Sequence, residues 1–485
     1  MGTIQYAFVR TDLEKKMDSL LGKTLGEVDT ANVFAITKTN PKVTGIAGDV
    51  VEQSILGYPA DPYQRPDILV DGVETEVKAT GLRPSKKGKG LEAKEPMSIT
   101  AVSLGTIARE EFATSMFWHK AEHLFIVYYL YDSDTTVQAA DYAFFPIKGY
   151  QFHEFTDEER EILANDWQLV HDFVEKIQLE HESEEERKEF YPLLSSALRR
   201  DLMLIDTAPK YPHPPRFRLK RSTVTAMARK NFGESMEQLP RTYSAFSEID
   251  TVLHDVSRKY AGRTVAELCA GFGINPEGKN ISERLVSRIF GAKGKAKNIE
   301  LFSKIGLAVK SIVLTKAGKR TEDMKLFTID FDEMAERDAV FEESEFYTWF
   351  AEQQMLCVVF EEPSADAPLA GNVFLGFKRL VFDEAFIETE VKRVWERIHY
   401  LVSENALALD VKLDGKTGKP RVNKTGEIMS APNFPKSREG TVFVRGTSSD
   451  STDKPITVCG IPMYHQQLWI KGSHIAERLK QESWI

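Results

Sequence analysis

The sequence predicts a mixed α/β (α+β) protein built from two copies of one unit, the second copy degenerate. Three observations predict it. Short motifs recur in the same order in the first and second halves of the chain. Each half mixes apolar residues at helical spacing with stretches that alternate every second residue, so each holds helices and half-buried strands. The 485 residues exceed one ordinary domain and suit two or three.

The repeat can be followed element by element. LLGKTLGEVD at 20–29 follows an amphipathic helix opened by Thr11 and Asp12, and YAGRTVAELC at 260–269 follows another helical stretch. GDVVEQSILG at 48–57, read as a helix, is matched by SERLVSRIFG at 282–291. GVETEVKAT at 72–80 is matched by KIGLAVKSI at 304–312, and MFWHKAEHLFIVYYL at 116–130 by TWFAEQQMLCVVFEE at 348–362. An acidic helix with a tryptophan follows in both, with Trp167 and Trp395 at matched positions that suit core anchors. RFRLKRSTVTAMAR at 216–229 is matched by QLWIKGSHIAERLK at 467–480. The units therefore span 1–235 and 246–485, with a joint at 236–245.

Composition narrows the function. Apolar residues make up 42%, enough for real cores. The N-terminus has no basic-then-apolar signal, and the longest apolar run, 124–131, is a strand's length, so a membrane partner is not expected. Cys269, Cys357 and Cys459 lie far apart, which fits a reducing cytoplasm and argues against structural zinc. Net charge is −10, but charges are segregated: 157–189 is acid-rich, while 210–230 holds Lys210, Arg216, Arg218, Lys220, Arg221, Arg229 and Lys230 without an acid. A second basic cluster runs over 83–89. Either is a candidate nucleic-acid face or a solvated charged surface.

The chemistry sits in RPDILVDGVETEVKAT at 65–80. Asp71-Gly72 is a hairpin turn signal between two apolar strands. Alternation puts Glu74, Glu76 and Lys78 on one face of the second strand, and Asp67 precedes the first. Two carboxylates can hold a hard cation such as Mg²⁺, with Mn²⁺ as a substitute, which acidifies water and neutralises phosphate charge. A lysine on the same face can orient that water. Glu52, on the 48–57 helix, can add a third carboxylate. The pattern alone is weak, since Glu-x-Lys recurs at Glu14/Lys16, Glu92/Lys94, Glu186/Lys188 and Glu390/Lys392.

Glu52, Asp67, the run Glu76-Val77-Lys78-Ala79-Thr80 and the Gly22-Lys-Thr-Leu-Gly-Glu segment together resemble the MutH / Sau-three-AI family of GATC-specific nucleases, of the PD-(D/E)xK restriction-endonuclease class. The match is nearer to its longer members, which have tandem MutH-like domains. The resemblance implies a type II restriction endonuclease acting on double-stranded DNA with Mg²⁺. It implies that Asp67, Glu76 and Lys78 form the cleavage centre, with Glu74 a possible stand-in carboxylate. It further implies that Glu52 assists, that Lys120 approaches the scissile phosphate, and that Lys210 and the RFRLK strand (Arg216, Lys220) contact DNA.

In the second copy Val286 stands for Glu52, Ile299 lies near the Asp67 position, Ala308 replaces Glu76, Glu352 faces the Lys120 position, and Lys310 alone is kept. Without carboxylates that copy should be silent. Lys436, Arg445 and Lys471 remain as basic DNA candidates there, and the resemblance implies that this copy binds a second DNA site and assists the first. A monomer in solution, with a dimer or looped complex on two-site DNA, fits such a scheme. Two other readings stay open: a repair-type enzyme nicking one strand of hemimethylated sites, and a non-catalytic DNA-binding regulator. Gly22-Lys23-Thr24 and Gly415-Lys416-Thr417 mimic a phosphate loop, but Met17 and Asp410 occupy the position that needs glycine. His119 and His123 have i, i+4 spacing but no further ligand, so a packed or surface role outweighs zinc.

Overall fold

A computed structural model describes the chain except residues 1–5, 42, 60–64, 86–89, 134–136, 279, 321, 336–338, 366, 423–425, 427 and 449–453. Most of the 83–89 basic cluster therefore lies outside the described residues.

The first half is organised on one mixed sheet. β1 (Tyr6–Phe8) pairs parallel with β2 (Ile68–Val70), and β2 turns back into the long β3 (Val73–Pro84). The turn is the one the sequence demands: Asp71 and Gly72 have φ of 50° and 84°, both left-handed, as a two-residue hairpin of matching twist requires. β4 (Leu91–Ala93) pairs with the far end of β3. β6 (His123–Leu130) runs parallel to β3, and β7 (Ile147–Glu154) antiparallel to β6. A small second sheet is formed by β5 (Met97–Ala101), β8 (Ile205–Asp206) and β9 (Arg216–Leu219), with β9 central.

The second half rebuilds the same plan. β10 (Leu307–Leu314) runs parallel to β12 (Gln354–Glu361), and β13 (Val373–Leu380) pairs antiparallel with β12. β11 (Met324–Thr328), β16 (Val442–Gly446) and β19 (Gln466–Ile470) form the companion sheet, with β19 central. Four short strands, β14 (Leu409–Val411), β15 (Ser430–Pro432), β17 (Ile456–Val458) and β18 (Ile461–Met463), pair as two ribbons beside it. The repeat predicted from short motifs is thus a repeat of strand order and direction. Apart from the two ribbons, the halves differ at one edge: among the described residues the β1–β2 layer has no counterpart in the second half, and the short helix Glu300–Lys304 leads into β10 instead.

The Gly-Lys/Arg-Thr motif has a structural job in both halves. Thr24 and Thr264 each accept from the amide of the glutamate three residues on, Glu27 and Glu267, which bonds back to the threonine amide. Each is a reciprocal helix cap. The glycines ahead, Gly22 and Gly262, sit at φ of 81° and 84° and donate to Ile147 and Phe374 on the matching strands β7 and β13.

Trp167, in the helix Asp157–Glu180, and Trp395, in the helix Lys392–Ser403, are both buried core anchors as expected. One hydrophobic core runs from Leu82, Ile126 and Trp167 of the first half to Leu285, Phe302 and Phe377 of the second, so the halves pack as one body. The cysteines are free. No helix among the described residues is long and apolar enough to cross a membrane.

Candidate active site

The hairpin creates the site. Pairing of Ile68 with Thr75 brings Asp67 alongside Val77, whose amide donates to Asp67 Oδ2 at 2.8 Å. Asp67 is therefore pinned beside the strand position between Glu76 and Lys78. Lys78 Nζ lies 2.7 Å from Glu76 Oε1, as two residues on one strand face allow. Lys120 arrives from the helix Met116–Ala121, capped by Ser115, and its Nζ stands 3.1 Å from the same carboxylate. Glu76 is 2% exposed. Of the two candidate carboxylates on β3, Glu76 is the one between the lysines. Glu74 lies outward, with His119 Nε2 at 3.0 Å. His119 and His123 do not share a helix, because the helix ends at Ala121 and His123 opens β6.

Glu52 lies on the predicted helix, which runs as Ile46–Asp49 and widens into a π-helical stretch, Val50–Leu56, ending at left-handed Gly57. Lys16 reaches the Ile55 carbonyl at that end. Glu52 is pushed up to about 7, first by burial and then by the charges of Asp67 and Asp49. Asp67 is pushed up to about 6, first by burial and then by Glu76, against the Val77 amide and the two lysines. Sequence reasoning missed Asp49; its position three residues before Glu52 was the available signal.

The residues fit a hard divalent cation. Glu76 Oε2 is buried with Lys120 Nζ 3.1 Å away, and the acids around it suppress one another's ionisation. A cation would relieve that mutual suppression, and an all-oxygen donor set suits Mg²⁺ or Mn²⁺ over softer metals. The ligand atoms do not close into a tight triad. Among the described residues the one group of His, Cys, Asp or Glu ligands within 4.8 Å of one another is His171, Asp172 and Glu175 on the surface of the helix Asp157–Glu180. There Asp172 is already bonded by Gln168 and His171.

The basic stretch 210–230 requires correction. Lys220 was expected on DNA, but it is 2% exposed and its Nζ donates to the Leu202 carbonyl at 2.6 Å. Arg218 bonds Asp206, the Arg221 amide meets Glu352, and Lys230 pairs with Glu300 at 3.0 Å. Lys210 pairs with Glu384 at 3.3 Å, and Arg216 donates to Ser98. Arg83, from the other basic cluster, is half-buried between Glu92, Asp330 and Glu345. The acids absent from 210–230 are supplied largely by the second half, so much of the stretch is a seam between halves. In the second half, Lys436 is paired with Asp410, Arg445 bonds Asp323 at 2.9 Å, and Lys471 begins the helix Gly472–Gln481.

Strand register tests the second-copy comparison. Glu76 pairs with Leu124 and Lys78 with Ile126; Ala308 pairs with Met355 and Lys310 with Cys357. Ala308 and Lys310 thus hold the Glu76 and Lys78 positions. Val286 is buried five residues before left-handed Gly291, as Glu52 is five before Gly57. Ile299 is buried at the start of the helix that stands in place of β2. One position moves. Lys120 precedes Leu124 by four residues, and four before Met355 is Ala351, not Glu352. Glu352 instead accepts the Arg221 amide with both oxygens at 3.2 Å.

Comparison with known proteins finds two nuclease relatives of the chain. Residues 56–166 match the family model described as DNA mismatch repair enzyme MutH, a span holding Asp67, Glu76, Lys78 and Lys120. The type II restriction enzyme Sau3AI of Staphylococcus aureus is 24% identical over 392 residues, covering 78% of this chain and 76% of the relative.

Proposed function

We propose that this chain, similar to MutH over residues 56–166 and to Sau3AI over 78% of its length, is a type II restriction endonuclease hydrolysing phosphodiesters of double-stranded DNA at GATC with Mg²⁺. The observation that carries this reading is the buried Glu76 carboxylate between Lys78 and Lys120, with Asp67 clamped beside it.

Asp67, Glu76 and Glu52 would hold the cation. When bound, it supplies a Lewis acid that acidifies water and neutralises the phosphate. Lys78, on the strand face of Glu76, orients the attacking water and balances the charge that develops on it. Lys120 approaches the scissile phosphate from its own helix. The water oxygen bonds to phosphorus as one ester P–O bond breaks; the water gives up a proton to solvent and the departing ester oxygen takes one up. Lys210 and Arg216, both half-exposed, remain the first-half candidates for phosphate contact.

On this reading residues 1–235 are the catalytic unit, 236–245 the joint and 246–485 a silent unit that binds a second DNA site as effector. Lys436, Arg445 and Lys471 are its candidate contacts. A matching family model named for a mismatch repair enzyme favours a second reading, nicking of one strand at hemimethylated sites. The duplicated architecture favours restriction. Supercoiled plasmid incubated with Mg²⁺ separates them, since linear product with ends at GATC supports restriction and nicked circles support repair. Equal cutting by Glu76→Ala protein would remove the site assignment.

A further inference from the structure

We infer that the second half carries a cationic cleft, on the outer face of the helix Ile281–Ile289 that answers to the Glu52 helix of the first half, that takes the phosphate backbone of duplex DNA. The DNA source of the phosphate rests on the nuclease reading above. The cleft has a volume of about 460 Å³. It is lined by Arg284 and Arg288 of the helix Ile281–Ile289 and by Lys293, Lys295 and Lys297 of the loop that follows.

The cations are presented by a built scaffold. Arg284 and Arg288 are one helical turn apart on the exposed face, while Leu285 and Val286 on the other face are fully buried. In the loop, the buried Ala292 and Ala296 anchor the chain and leave Lys293 and Lys297 exposed. Glu237 from the joint accepts the amides of Lys293 and Gly294, and its own amide donates to Asn298. Gly294 permits this approach, because a Cβ there would sit 2.9 Å from Glu237 Oε2. Arg288 also donates to the Ala292 carbonyl at 3.3 Å.

Charge balance points to a ligand. The neighbouring acids, Glu237 and Glu283, are occupied with backbone amides. Among the described residues no carboxylate lies within 4.0 Å of any of the five cationic groups, whereas the cations of 210–230 are largely paired. Converging unpaired cations in a concave surface focus positive potential and favour a polyanion. Every phosphate neutralised releases counterions, so affinity should depend steeply on salt.

The test uses the full chain with Ca²⁺ in place of Mg²⁺, so that binding is read without cleavage. Anisotropy of a labelled GATC duplex gives log Kd against log salt for wild type and for the triple variant Lys293→Gln, Lys295→Gln, Lys297→Gln, with thermal melting to establish folding. The expected result is a slope shallower by about 2–3, at roughly 0.9 per lost phosphate contact. Acetylation of surface lysines read by mass spectrometry should show these three protected by the duplex. They should stay reactive with tripolyphosphate at equal phosphate concentration. An unchanged slope overturns the proposal, and protection by tripolyphosphate without protection by duplex overturns DNA as the ligand. Because the readout is binding, a failure of the nuclease reading would show separately, as intact plasmid with Mg²⁺.

Discussion

The two halves share a strand plan and differ in what their long strands carry. β3 presents Glu76 and Lys78 where β10 presents Ala308 and Lys310, in the same register against a parallel neighbour. The first half adds the β1–β2 layer, which delivers Asp67; the second has the helix Glu300–Lys304 instead. A strand plan can therefore be shared by packing while the polar groups it presents differ at a few positions. Core packing depends on many apolar contacts, but a metal site depends on every ligand.

The strongest attempt to break this contrast targets its acids. Glu76→Ala should lower single-turnover cleavage by about three orders of magnitude or more, roughly 4 kcal/mol of barrier. The reciprocal change sharpens it: Ala308→Glu in that background should restore neither cutting nor Mn²⁺ binding, because among the described residues no counterpart of Asp67 stands beside β10. Recovery of either by Ala308→Glu would mean the halves are chemically closer than the strands imply.

The seam between halves comes next. Arg199 is buried, donates to the Phe382 carbonyl at 3.0 Å and pairs with Glu384 at 2.6 Å. Arg199→Ala leaves buried acceptors unmet and should cost about 3 kcal/mol, read from urea unfolding. A loss below about 0.5 kcal/mol would mean the halves are joined by the shared apolar core alone.

The seam should also sense pH. Glu333 accepts the Glu345 amide and is pushed up to about 7, first by burial and then by Glu345, with Asp330 adding and Arg83 opposing. Its folded pKa lies above its ordinary 4.5, so the native state holds a proton that the unfolded chain releases. The stability it contributes is full below that ordinary value and is lost as pH rises through about 7, on the order of 3 kcal/mol. Glu333→Gln should flatten the melting temperature across that window; an unaltered profile would remove Glu333 as the cause.

The smallest effect compares the matched caps. Thr24→Ala and Thr264→Ala should each cost about 1 kcal/mol, because each removes a reciprocal helix cap of the same geometry. Costs differing by more than about 1 kcal/mol would show that the surroundings of the cap, rather than the cap itself, set its contribution.

The sequence by itself determined what local rules govern. The Asp71-Gly72 turn, the shared face of Glu76 and Lys78, the threonine–glutamate caps and the loss of acids at Val286 and Ala308 all follow from spacings of a few residues, where backbone geometry dictates which side chains meet. Only the tertiary structure decided how distant groups compensate. Lys120 joins Glu76 across 44 residues, and Arg199 meets Glu384 across 185. Lys220 is buried on the Leu202 carbonyl, and Lys210, Arg221 and Lys230 meet acids of the second half, so the basic stretch that reads as a DNA face is largely taken up inside the fold. Coulomb interactions act through space while a sequence window sees only neighbours along the chain, so which cations stay free for a ligand is settled by folding.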